Sequence, residues 1–176
     1  MKHILIVIDV QNDFVTGILG TPEARGIVPN IARKISSGMH DFIIFTRDIH
    51  NDNYLQTQEG KFLSIPHCID GTSGVDIVDE VFSSIQSYTI WTHVTKNRFG
   101  CLDLIKSLNN LLHEIDAEIE IIGICTDICV ITNALLIKTH FPETTIVVDS
   151  SCCAGVTPEL HQAALDVMKS CQIIIK

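Results

Sequence analysis

Apolar residues in this chain gather into six short runs: "HILIVID" (3–9), "FIIFT" (42–46), "YTIWTHV" (88–94), "IEIIGI" (119–124), "TIVVDS" (145–150) and "QIIIK" (172–176). The runs are rich in β-branched side chains, and near-continuous hydrophobicity marks strands buried on both faces, as in a parallel sheet. Between them, segments 28–39, 76–86, 101–114, 127–140 and 158–170 carry apolar positions at helical spacing. Thr157 followed by Pro158 and Glu159 is a helix start, with the hydroxyl as N-cap and proline at the first helical position. Strand and helix in alternation predict an α/β architecture, a parallel sheet with helices on both faces, whose ligands bind beyond the carboxyl ends of the strands. One stretch breaks the rhythm: residues 47–75, "RDIHNDNYLQTQEGKFLSIPHCIDGTSGV", have no clear period and are rich in His, Asp, Asn, Gln and Gly. A structureless loop of that length inside a compact domain is usually functional. No internal repeat or linker is visible, so residues 1–176 are expected to form a single domain.

Composition narrows the partners. With 46% hydrophobic and 19% charged residues over 176 positions, the chain is long and apolar enough for a core that needs no staples. A formal charge of −9 without a Lys/Arg cluster argues against nucleic acid and against an anionic membrane surface, and leaves a small molecule as the expected partner. The N-terminal run is interrupted by Asp9 and lacks a small-residue cleavage site, so it reads as a first strand rather than a signal peptide. No apolar stretch reaches the roughly 18–20 residues of a membrane span. Seven cysteines, an odd number without a regular framework, suit a reducing cytoplasm, most of them as core filler.

Candidate chemistry collects at the strand ends. The tips carry Asp9, then Arg47-Asp48-Ile49-His50, then Lys96, then residues 123–129, then Asp149-Ser150. Asp9 reads either as a cap after the strand or as a desolvated carboxylate with a raised, base-like pKa. Lys96 taken alone reads as a surface lysine. The segment "GICTDICVITNALL" (123–136) places Cys125 and Cys129 four apart, compatible with half a metal site, two core thiols, or a nucleophile with a bystander. Cys129 falls in the first turn of the expected helix, with Thr126 or Asp127 as N-cap, where the helix N-terminus favours a thiolate. Cys125 precedes that helix, and its backbone N–H together with that of Cys129 could hold an oxyanion. Cys152 and Cys153, after the fifth run, read as small buried thiols or turn residues. In the long loop, Asp48-x-His50 puts two ligand types on one side of extended chain, and Glu59 and His67 follow. A His/His/carboxylate set with positions left to water suits Zn²⁺, Fe²⁺ or Mn²⁺.

Five motifs in order, "DVQNDF", "RDIH", "PHCIDGT", "TKNRF" and "GICTDICV", resemble the isochorismatase-like cysteine hydrolases, and among them the nicotinamidases, from residue 3 to about 155. The resemblance implies a doubly wound, Rossmann-like three-layer fold with six parallel strands. It implies a catalytic triad of Asp9, Lys96 and Cys129, with Cys129 as nucleophile, Asp9 moving the proton and Lys96 favouring the thiolate. It implies an oxyanion hole from the N–H groups of Cys125 and Cys129 beside a cis Ile124–Cys125 peptide. Asp48, His50 and His67 match the family's metal ligands and Glu59 an extra carboxylate ligand, for a divalent ion, Zn²⁺ foremost with Fe²⁺ or Mn²⁺ as alternatives, that orients the substrate ring. Phe14 and Phe99 match positions that flank that ring.

The implied reaction is hydrolysis of nicotinamide to nicotinate and ammonia, a step of NAD salvage, by a cytoplasmic homo-oligomer. Two departures stand out: Ser64 replaces the aromatic residue usual three positions before His67, with Phe62 the nearest ring, and the chain is shorter than many nicotinamidases. The alternatives are a cysteine hydrolase of another small amide, of carbamoyl or ureidoacrylate type, and a non-catalytic member of the family. The isochorismatase ether hydrolysis is disfavoured, because that branch lacks the cysteine found here at 129.

Overall fold

The computed structural model describes residues 1–87, 89–112 and 116–176. Strands β1 (Lys2–Ile8), β2 (Phe42–Asp48), β3 (Ile90–Lys96), β4 (Ala117–Ile124), β5 (Ile146–Ala154) and β6 (Ile174–Ile175) form one parallel sheet in the order β3-β2-β1-β4-β5-β6. The helices are α1 (Asn12–Val15), α2 (Pro22–Ser36), α3 (Gln58–Phe62), α4 (Asp79–Phe82), α5 (Leu102–Leu112), α6 (Ile131–His140) and α7 (Pro158–Ser170). This is the parallel sheet expected from the alternation of runs, in the doubly wound six-stranded form that the resemblance implies. From β1 the chain winds outward through β2 to β3, then crosses back and winds the other way through β4, β5 and β6. Right-handed crossovers therefore put α2 and α4, which pack together, on one face and the contiguous α5, α6 and α7 on the other.

The strands form where aliphatic runs can be covered twice. Ile4 to Ile8 are fully buried, and Ile119, Ile121 and Ile122 of β4 lie beside them. On α2 the buried residues Ala24, Ile27, Val28, Ile31 and Ile35 make one helical stripe against the sheet. Thr21 and Thr157 cap α2 and α7, their hydroxyls accepting from Ala24 N at 3.0 Å and Leu160 N at 3.2 Å, each ahead of a proline at the first helical position.

Four expectations change. The third run is not buried on both faces: β3 is the edge of the sheet, with Ile90 63% exposed and Trp91 40% exposed. The fifth run does not end at Ser150, because β5 continues to Ala154, so Cys152 and Cys153 lie buried inside the strand. Asp149 consequently sits within β5 and pairs with Lys34 of α2 at 2.7 Å, away from the strand tips. The helix expected at 28–39 begins earlier, at Pro22, and that expected at 76–86 shrinks to Asp79–Phe82. Tyr88 of the third run and residues 113–114 of the expected 101–114 helix lie outside the described residues.

Candidate active site

Register brings the polar strand ends together. Ile8 lies opposite Thr46 on β2 and Gly123 on β4, and Asp48 lies opposite Lys96 on β3. Asp9, Asp48, Lys96 and the chain leaving β4 thus share one edge at the switch point between β1 and β4, the crevice where doubly wound sheets bind ligands. Gly123 permits the approach: its φ is +128°, and a Cβ there would strike the backbone of Ile8.

Asp9 turns out of β1 at a positive φ of 49° and is fully buried. One carboxylate oxygen accepts from the Thr46 hydroxyl at 2.5 Å, and the other lies 2.7 Å from the Lys96 ammonium. Lys96 is no surface residue. It is buried, 3.7 Å from Cys129 Sγ and 3.4 Å from Asp48. Burial raises the Asp9 carboxyl above the ordinary range against the pull of Lys96. For Lys96 burial opposes the charge, yet Asp9, Cys129 and Asp48 together hold its pKa above the ordinary value. Burial, and after it the negative charge of Asp9, pushes the Cys129 thiol well above its ordinary pKa, with Lys96 acting the other way. Burial thus works against the thiolate that the helix N-terminus was expected to favour, and the sulfur lies within hydrogen-bonding reach of Asp9.

Cys125 precedes a wide helical turn, Thr126–Val130, that contains Cys129 and leads into α6. The Ile124–Cys125 peptide is cis. Neither Thr126 nor Asp127 caps the helix. Thr126 bonds His161 of α7 at 2.8 Å, and Asp127 accepts from Val156 N at 2.9 Å, so the turn is tied to the start of α7 instead.

Residues 49–75 are not a structureless loop. They contain a 3-10 turn at Tyr54–Gln56, the short α3, and a second 3-10 turn at Ser73–Val75. Thr57 caps α3, which carries Glu59, and Gly60 lies so close to the backbone of Tyr54 that a Cβ would collide with it. Asp48, His50, Glu59 and His67 converge, one ligand atom from each lying within 4.8 Å of all the others. His50 Nε2 is 2.9 Å from Asp48, and His67 Nε2 is 3.7 Å from Glu59 and 3.9 Å from Asp48. His67 turns its other nitrogen to the Ile65 carbonyl at 2.9 Å, the arrangement that fixes a metal-binding imidazole. Tyr54 packs its buried ring on both imidazoles at 4.8 and 5.0 Å. Two imidazoles and two carboxylates in this arrangement fit a divalent cation.

One cavity of about 300 Å³ is lined by members of both clusters, though not by Asp9, Lys96 or His50. Asp48, Glu59 and His67 line one part of it and Cys125 and Cys129 another, with Phe14, Phe99, Leu19, Leu63, Ile128 and Val156 as apolar wall. The position of the missing aromatic is resolved here. Ser64 bonds the Gly60 carbonyl, Phe62 is 86% exposed and outside the cavity, and Leu63 supplies the wall. Periodicity did not single out several supporting residues. Gln11 is fully buried and ties Asp48 N and O to Val75 O, at 2.7, 2.8 and 3.0 Å, and Asp13 accepts from Cys68 N at 2.7 Å. A polar residue inside or directly after an apolar run, as with Thr46 and Gln11, was the available sign.

A nicotinamidase/pyrazinamidase of Mycobacterium tuberculosis is 27% identical over 184 residues, covering 96% of this chain and 95% of that protein. The crystal structure of a nicotinamidase/pyrazinamidase from Bacillus subtilis superposes with a TM-score of 0.82 at 27% identity, over 99% of each chain. That of a pyrazinamidase from Pyrococcus horikoshii in complex with zinc gives 0.77 at 26% identity, over 100% of this chain and 99% of the other. The Isochorismatase domain pattern matches residues 3–176, and the chain belongs to the isochorismatase family.

Proposed function

We propose that this protein is a metal-dependent cysteine amidohydrolase that converts nicotinamide and water to nicotinate and ammonia. The observation that carries the reading is the single cavity: Cys129, in contact with the buried Asp9–Lys96 pair, and Asp48, Glu59 and His67 of the four-residue metal cluster line one apolar space of about 300 Å³, room for one small aromatic amide. In this reading Asp9 takes the Cys129 proton as sulfur attacks the amide carbon, and Lys96 compensates the negative charge as it moves from carboxylate to sulfur. The oxyanion rests on the N–H groups of Cys125 and Cys129. Asp9 returns the proton to the leaving nitrogen, ammonia departs, and a thioester remains on Cys129. Water, deprotonated by Asp9, attacks the thioester and frees nicotinate and the thiol. Asp48, His50, Glu59 and His67 would hold a divalent ion, zinc by analogy with the Pyrococcus relative, that anchors the pyridine nitrogen and orients the ring. Phe14 and Phe99 flank that ring from the cavity wall.

Seven free thiols support a reducing, cytoplasmic setting, and among the described residues no helix is long and apolar enough to cross a membrane. The exposed apolar edge strand β3 supports assembly as a homo-oligomer, which light scattering checks.

Ammonia release from nicotinamide tests the reaction. Cys129→Ala should lose activity by at least about 10³-fold and Cys125→Ala should stay within several-fold of wild type, since only its backbone is used. Equal losses in the two variants would falsify the assignment of the nucleophile. A wild-type enzyme whose activity survives complete metal removal, acting on a carbamoyl compound instead, favours the other amide reading.

A further inference from the structure

Asn133 lies one turn beyond Cys129 on α6 and is fully buried. A carboxamide in that setting needs partners for one acceptor and two donors, and here all three are met. Its Oδ1 accepts from Cys101 N at 2.8 Å, and its Nδ2 donates to the Phe99 carbonyl at 3.0 Å and to the Cys129 carbonyl at 2.8 Å. One side chain therefore joins the nucleophile's turn to the segment that links Lys96 to α5. Gly100 in the same segment sits close over α6, so that a Cβ there would come within 3.1 Å of the Thr132 methyl. The Phe99 ring lines the cavity but is 49% exposed, so its own burial does little to hold it. What holds it is the backbone on either side, and both ends of that backbone hang from Asn133.

We propose that Asn133 is a positioning residue for the substrate: its carboxamide fixes segment 99–101 to α6 and to the turn before it that carries Cys129, and so sets the distance between the Phe99 wall and the nucleophile. The inference rests on the amidohydrolase reading for its kinetic consequence, though not for the clamp itself. Because the turn that carries Cys129 is tied independently to His161 and Val156 through Thr126 and Asp127, the loss should fall on substrate positioning rather than on the chemical step.

The experiment compares wild type with Asn133→Ala and with the smaller polar Asn133→Ser, should the alanine variant fold poorly, each alone and combined with Phe99→Ala. Amide hydrogen exchange of residues 97–101, which needs no substrate, should quicken about tenfold or more once the Cys101 amide loses its acceptor. With nicotinamide, KM should rise about tenfold while kcat stays within about threefold, the pattern of lost ground-state and transition-state binding together. In the Phe99→Ala background the same substitution should change KM little, because the wall it positions is gone. Unchanged exchange overturns the clamp. An unchanged KM, a fall in kcat alone, or additive effects with Phe99→Ala overturns the positioning role. Should wild type fail to hydrolyse nicotinamide, it is the proposed reaction that falls, and the exchange measurement still decides the clamp.

Discussion

Thr46 decides how Asp9 behaves as a base. Its hydroxyl donates to one Asp9 oxygen while Lys96 lies against the other, so the ionised carboxylate is stabilised from both sides although burial works against it. A hydrogen bond to a charged group is worth about 1.5–3 kcal/mol, and 1.36 kcal/mol corresponds to one pKa unit. Thr46→Val keeps the shape and removes the donor, so Asp9 should protonate at a pH higher by about one to two units. Since Asp9 must be unprotonated to accept the thiol proton, the acid limb of kcat/KM should move up in pH by that amount. A pH–rate profile measured on both enzymes checks this, and coincident limbs would mean that the limb belongs to another group. At the same scale Lys96 offers a complementary outcome: Lys96→Met leaves Asp9 and Cys129 facing each other in a buried site without a cation. Labelling of Cys129 by iodoacetamide, followed by mass spectrometry of its peptide, should slow at least about tenfold at neutral pH. An unchanged rate would point to an inert thiol and a non-catalytic family member.

Elements are held in place by a second ionic group, remote from the cavity. The Lys34 ammonium of α2 bridges Glu120 of β4 at 2.8 Å and Asp149 of β5 at 2.7 Å, and His40 reaches Glu120 at 2.8 Å. This fastens α2 across two strands. The His40 hydrogen bond, and the Lys34 ammonium against the opposing effect of burial, draw Glu120 from 4.5 down to about 2. A carboxyl with a lowered folded pKa stabilises the fold fully above its unfolded pKa, and that stability is lost as pH falls. The contribution should be complete above about pH 4.5 and disappear towards pH 2. Allowing for partial solvent screening it amounts to about 2 kcal/mol. Glu120→Gln should show a flatter decline of denaturation midpoint across that window, as urea titrations at stepped pH would reveal.

The elements also show what could be read in advance and what could not. The runs at 3–9, 42–46 and 119–124 were legible because the central strands are aliphatic on both faces. "YTIWTHV" is no less apolar, yet β3 is exposed, because strand order, not strand composition, decides which run lies at the edge. Asp48, His50, Glu59 and His67 could be noticed as ligand types. Their convergence depends on how the segment that holds α3 folds back over Asp48, which no periodic signal announces. Leu63 replaces the absent aromatic in the wall, and Asn133 is one polar residue in a helix whose apolar positions run nearly all round. Such positions become visible only when chain segments far apart in sequence are brought side by side.

On the scale of the whole molecule, the site is a junction of the sheet. Asp9, Asp48 and Lys96 end three adjacent strands, and the loop that carries Glu59 and His67 folds back onto the first two. Two buried imidazoles and two carboxylates in mutual contact form an assembly that unfolding disperses, so an ion bound there stabilises the native state by mass action. At a free concentration about 100 times the dissociation constant the gain is about 2.7 kcal/mol, which for a chain of this length raises the melting temperature by about 5–10 °C. Chelation should therefore lower the melting temperature by that amount, and zinc should restore it. Cys129→Ala, which removes the nucleophile but no ligand, should respond to metal as wild type does. His67→Ala should melt at the same temperature with and without zinc. A shift that survives in His67→Ala would place the stabilising ion elsewhere on the molecule, and a shift lost in Cys129→Ala would make the sulfur a ligand rather than a nucleophile.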